Sequence, residues 1–161
     1  MPPIGKVAIY ATSPKGLLVF TEPDFPDVPF QVPGGTIEPG EQPCAAAQRE
    51  FTEETGLAVT GHYHLFAEQK VTLPRPNGPQ AMHRYCFQTD LPADLPHTWD
   101  HIEALPSDGS APILFRYSWL SLDQANVSLG SGMEIPLPAL ERHLRDVPTN
   151  DLSPTGEDTD P

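Results

Sequence analysis

The chain has 161 residues, with 9 Lys or Arg against 22 Asp or Glu, a formal charge of −13. So acidic a chain with scattered bases is a poor partner for a nucleic-acid polymer, whose backbone is gripped by clustered Lys and Arg. No apolar run approaches the roughly 20 residues that span a bilayer, and residues 1–10 lack a signal-peptide pattern, so no membrane partner and a cytoplasmic location are expected.

Residues 7–11 and 17–20 are β-prone runs joined by Thr12-Ser13-Pro14-Lys15-Gly16, and they predict a hairpin. After a Pro- and Asp-rich loop, residues 30–32 read as a brief strand running into Pro33-Gly34-Gly35. The paired glycines mark either a tight turn or a place where the backbone must come close to something. Residues 44–55 are expected to be helical. Pro43 suits a first helical position, three alanines follow Cys44, and Gly56 suits a C-cap. Ala47 and Phe51, four apart, form the expected core-facing stripe.

Residues 58–67 alternate and read as a strand with a bend, 74–79 as a turn, and 83–89 as the returning strand. The stretch 91–109, rich in Pro and His, is expected to be a long irregular loop, and loops of that length are more often functional than incidental. Residues 114–120 read as a further strand. Ser121 can cap a short turn at 122–125, and 138–145 reads as a closing helix. From residue 146 the Pro, Thr, Asp and Gly content predicts an acidic, disordered tail. One domain over residues 1–145 and a tail over 146–161 follow. Cys44 and Cys86 have no metal or redox spacing and are expected to be reduced.

In the expected helix Glu50, Glu53 and Glu54 lie at i, i+3 and i+4, so three carboxylates share one face. Like charges at that spacing destabilise a bare helix unless bases or a cation relieve them, and oxygen donors of this kind suit a hard divalent ion such as Mg²⁺.

These acids belong to a longer pattern. Gly35, Glu41, Arg49, Glu50, Phe51, Glu53, Glu54, Gly56 and Leu57 read as G-x5-E-x7-R-E-(apolar)-x-E-E-x-G-(apolar). With ordinary residue frequencies its chance occurrence is on the order of 10⁻⁹ per starting position. The segment resembles the Nudix box, the signature of hydrolases that cleave nucleoside diphosphates linked to another moiety. Phe51 stands where an aliphatic residue is more usual, a difference of packing rather than chemistry.

The resemblance implies an α/β fold, a Nudix-type α/β/α sandwich around a mixed β-sheet, with the box as a loop–helix–loop. It implies Mg²⁺ or Mn²⁺ as cofactor, and as partner a small-molecule nucleotide or nucleotide conjugate whose pyrophosphate bond is hydrolysed. Carried onto this chain, Glu50, Glu53 and Glu54 would ligate metal with the Gly34 carbonyl. Arg49 would hold the glutamates by ion pairing, and Glu41 would reach the metal site from the loop. A glutamate beside the metals can take the proton of the attacking water. In this family the base can also come from a later loop, where Glu103 and Asp108 are the candidates.

Outside the box the readings are coarser. Lys70, Arg75, Arg84 and Arg116 are bases that could meet substrate phosphates, with Arg84 the best placed, on a strand between Met82 and Tyr85. His62 and His64 share one face of a strand, where a metal site and ordinary exposed positions are both open. Pro74 leans toward ADP-ribose, whereas the strand followed by SLDQA leans toward nucleoside triphosphates. The alternative to an enzyme is a catalytically silent nucleotide-binding module, which typically carries a damaged box, whereas every acid is present here.

Overall fold

The computed structural model describes residues 2–58, 61–103 and 111–146. β1 (Ile4–Ser13) and β2 (Gly16–Thr21) form the expected hairpin, turning tightly so that Ser13 faces Gly16. Gly16 adopts φ 124°, and a Cβ there would lie 2.5 Å from the Leu120 carbonyl oxygen, so the turn requires glycine.

Residues 30–32 do not form the strand expected of them. Gln31 makes an isolated bridge to Phe20, and Phe30 one to Leu129. The strand forms at the glycines themselves, as β3 (Gly34–Thr36), antiparallel to β1. Pro33 has no N–H to carry a ladder forward. The glycines are there for close approach, since a Cβ on Gly34 would lie 2.3 Å from the Val7 carbonyl oxygen.

Helix α1 (Pro43–Thr55) starts at the proline and ends on Gly56, which is left-handed at φ 77° with its N–H on Thr52 O. Its Ala46, Ala47 and Phe51 are fully buried. The strand expected over 58–67 lies later, as β4 (His64–Leu73), with a register shift between Leu65 and Ala67 where a bend was expected. β4 is an edge strand with many exposed positions, so alternation marks its limits poorly. It turns into β5 (Gln80–Asp90).

The stretch 91–109 is not wholly irregular. It contains β6 (Trp99–Glu103), antiparallel to β7 (Ile113–Leu120). Helix α2 (Leu122–Ser128) carries a full capping box between Ser121 and Gln124, and α3 (Leu137–Asp146) closes the described chain. Residues 147–161, nearly all of the expected tail, and Asp108 lie outside the described residues.

The sheet runs β4-β5-β1-β2-β7-β6, and β3 pairs with β1 beside that path. β1 and β5 are parallel and the other pairs antiparallel, so the sheet is mixed. Alternate residues of β1 point to opposite faces. Val7, Ile9 and Ala11 pack with Phe51 under α1, while Ala8 and Tyr10 pack with Leu137 and Leu140 under α2 and α3. The result is an α/β/α sandwich. Cys44 and Cys86 are both free thiols. Among the described residues no helix is long and apolar enough to cross a membrane.

Candidate active site

The glycine strand and α1 meet at one corner. Glu50 is 5% exposed, and a Cβ on Gly35 would fall 2.1 Å from its Cδ, so only glycine leaves room for that carboxylate. One residue earlier, the Gly34 N–H donates to Glu54 Oε1 at 3.1 Å. The pair thus gives one acid space and the next a hydrogen bond.

Arg49 organises the charges. Its Nε and Nη2 donate to both oxygens of Glu41, each at 2.9 Å, a bidentate fork. Its Nη1 reaches Glu50 Oε2 at 3.0 Å and Glu53 Oε1 at 3.3 Å, and Nη2 also reaches Thr36 O at 3.1 Å. Glu41 further accepts the Glu38 N–H at 3.0 Å. The loop before α1, β3 and the helix are therefore tied through one guanidinium.

The backbone of the last helical turn is held by the β6–β7 hairpin. Alternation places Trp99, His101 and Glu103 on one side of β6, and that side faces the last turns of α1. Trp99 Nε1 donates to Thr55 O at 3.2 Å, His101 Nε2 lies 3.0 Å from Glu53 O, and Tyr117 of β7 donates through its hydroxyl to Glu54 O at 2.8 Å. These carbonyls have no intrahelical partner at a helix end, and here side chains supply one each. Trp99 stacks on Tyr117 with ring centroids 5.1 Å apart. With the strand so registered, its next inward residue, Glu103, arrives at the carboxylate face. Glu50, Glu53 and Glu103 each offer an oxygen, all within 4.8 Å of one another.

Burial raises the Glu50 carboxyl above its usual range, the charges of Glu53 and Glu103 add to this, and Arg49 opposes it. The Glu54 carboxyl, turned inward onto Gly34, is pushed up further by burial, against the Gly34 hydrogen bond. Glu41 goes the other way, to about 2, because Arg49 and the Glu38 N–H bond its charged form. Gathered, partly desolvated carboxylates are what a hard divalent cation relieves, so the donor set fits such an ion.

Of the residues singled out from the sequence, Glu50 and Glu53 converge with Glu103. Glu54 sits on Gly34, outside that trio. Glu41 engages Arg49 rather than the trio. Arg84 is 9% exposed, and its Nη1 donates to Gln69 Oε1 at 3.0 Å and Ser131 O at 3.2 Å, so it braces the loop before α3 and is engaged within the fold. Arg116 forms a bidentate pair with Asp100. His62 and His64 have ring centroids 5.9 Å apart, and His143 of α3 lies 5.5 Å from His64. Among the described residues, only Glu50, Glu53 and Glu103 meet as a group of three with metal-ligand spacing. That Trp99, His101 and Tyr117 act together on the end of α1 is not visible in the sequence, where the W-x-H-x-E alternation of residues 99–103 is the one signal of the strand and too short to stand alone.

A family model described as NUDIX domain matches residues 2–140. No curated protein matches the chain. Among solved structures, a MutT protein from Methanosarcina mazei Go1 is similar at TM-score 0.64 and 18% identity, covering 90% of this chain and 97% of that one. The dihydroneopterin triphosphate pyrophosphohydrolase of E. coli is similar at 0.62 and 19%, covering 83% and 91%. The Ap4A hydrolase of C. elegans is similar at 0.59 and 17%, covering 89% and 99%. At such identities these likenesses speak for the fold.

Proposed function

The chain belongs to the Nudix family of hydrolases, and on that premise we propose that it cleaves a pyrophosphate bond in a nucleoside diphosphate derivative, with Mg²⁺ or Mn²⁺ as cofactor. The observation that carries the reading is the convergence of Glu50, Glu53 and Glu103 beside Gly34-Gly35. Two similar structures are named for Ap4A and for dihydroneopterin triphosphate, which favours a small phosphoanhydride substrate here too.

In this reading Glu50 and Glu53 hold the cation, with Glu54 and the Gly34 carbonyl completing its surroundings. When bound, a divalent ion supplies charge neutralisation for the pyrophosphate oxygens and acidifies water. Arg49 fixes the rotamers of Glu50 and Glu53, and Glu41 fixes Arg49 through its fork. Glu103 comes from a different element and stands within one water's reach of both helix acids, so it accepts the proton of the attacking water at a carboxylate oxygen. The His101 and Trp99 contacts keep that oxygen from drifting.

The test is a panel of nucleoside di- and triphosphates, nucleotide sugars and dinucleoside polyphosphates, assayed with Mg²⁺ for a released monophosphate. Turnover of at least one class, lost in Glu53→Gln and in Glu103→Gln, is expected. Tight metal-dependent binding of a nucleotide that stays intact would instead select the silent-module reading.

A further inference from the structure

Gly56 ends α1 in the left-handed conformation and closes the helix on Thr52 O. Capping alone would admit another residue there, since asparagine also adopts that conformation at small cost. The surroundings would not. A Cβ on Gly56 would lie 2.8 Å from His101 Nδ1, 3.0 Å from its Cε1 and 3.6 Å from its Cγ. The imidazole of β6 thus fills the space that a side chain on the capping residue would take.

The ring is held there by its other nitrogen. Glu53 O can only accept, so the 3.0 Å contact requires His101 Nε2 to carry the proton and donate it. One imidazole therefore touches the helix cap with one edge and the backbone of a site acid with the other. It cannot swing aside without giving up Glu53 O. The strand cannot easily retreat either, because His101 pairs in register with Phe115 of β7, and Trp99, on the same side of β6, bonds Thr55 O. Glu103 is the next residue along that side, so its place depends on where His101 rests.

We propose that His101, seated on Gly56, is the positioning residue that sets the distance between the Glu103 carboxylate and the helix acids. Glycine is then required at position 56 for the empty space beside its Cα as well as for its φ. The inference rests on the proposed pyrophosphohydrolase reading, in which Glu103 takes the proton of the attacking water, and adds to it the contact that aims this acid.

The experiment compares wild type with Gly56→Asn, His101→Ala, their double variant, His101→Phe and His101→Gln, with melting curves to verify folding. Kinetics use whichever substrate the panel yields, and hydrogen exchange at the amides of residues 99–103 is followed in the metal-free protein. Gly56→Asn is expected to lower kcat about tenfold or more while KM changes less than about threefold, as misplaced reacting groups do. Exchange in β6 should quicken by about tenfold or more in the same variant. In the His101→Ala background the asparagine should cost nothing further, because no ring is left to displace. His101→Phe keeps a ring without a donor and should lose kcat, whereas His101→Gln, whose amide can donate to Glu53 O, should recover it to within about threefold of wild type. Unchanged kcat and exchange in Gly56→Asn, or losses that multiply in the double variant, overturn the inference. Non-additive exchange in a protein that turns over nothing would support the seating while sinking the hydrolase reading, and turnover with multiplying losses would do the reverse, so the two failures are distinguishable.

Discussion

The side chains and the backbone of α1 are fixed in opposite ways. The side chains of Glu50 and Glu53 are held by a charged knot around Arg49 whose members are partly open to water. The backbone of the last turn of α1 is held by hydrogen bonds from Trp99, His101 and Tyr117, and the first and last of these stack together against the core. The charged knot sets where oxygens point, whereas the aromatic clamp sets where the helix backbone lies relative to Glu103. A site that must keep like charges together needs both, because the knot alone cannot bring in an acid from another element.

This contrast predicts a separation between chemistry and stability. The largest effect belongs to the acids. Glu103→Gln is expected to lower kcat by about 10²- to 10⁴-fold, the usual range for a proton-transfer group, and Glu53→Gln, which removes a ligand of the proposed cation, to abolish detectable turnover, each with melting temperature nearly unchanged. A parallel collapse of both would erase the distinction between the acids and the clamp.

Next comes Arg49→Lys. An ammonium cannot reproduce the fork to Glu41 while also reaching Glu50 and Glu53, so activity is expected to fall by about 10- to 100-fold, with a weakened response to Mg²⁺. Restoration of full activity by lysine would reduce the knot to simple charge balance.

Tyr117→Phe removes one buried donor and leaves the stacking. Its expected cost is about 1 kcal/mol in chemical denaturation, the ordinary size for a lost hydrogen bond, with less than a tenfold loss in kcat. The sharper sign is a shift in metal affinity without loss of substrate affinity, which ordinary destabilisation would not produce.

The smallest effect is in pH. The Glu41 carboxyl is held at about 2 in the folded chain, below its model-peptide value near 4.3. Its contribution is thus fully present above about pH 4.3 and is lost as pH falls toward 2. Comparing acid unfolding of wild type and Glu41→Gln should show the curves converging below pH 3, and curves that stay parallel would deny the pairing a role.

Much of this was legible in the sequence, and the limits have physical reasons. The hairpin, the helix from Pro43 to Gly56 and the acid spacing are local patterns, governed by propensity, capping and the helical period. The paired glycines left a turn and a close approach open, and only the position of the Glu50 carboxylate separates the two, while the strand expected at 30–32 forms instead at 34–36. β6 escaped because five residues amid prolines carry too little alternation to announce a strand. That Arg84 is engaged by Gln69 and the Ser131 carbonyl is likewise not visible in the sequence. Each miss depends on contacts between residues distant in the chain.

The central claim is that Glu50 and Glu53 of one helix and Glu103 of a separate strand gather a divalent ion at the glycine corner. Anomalous diffraction from crystals grown with Mn²⁺ tests this most directly. The account predicts manganese bound to oxygens of Glu50 and Glu53, with the Glu103 carboxylate at the same ion or one water away. Manganese bound elsewhere on this acidic surface, or Glu103 turned away from the helix acids with the ion in place, would contradict it.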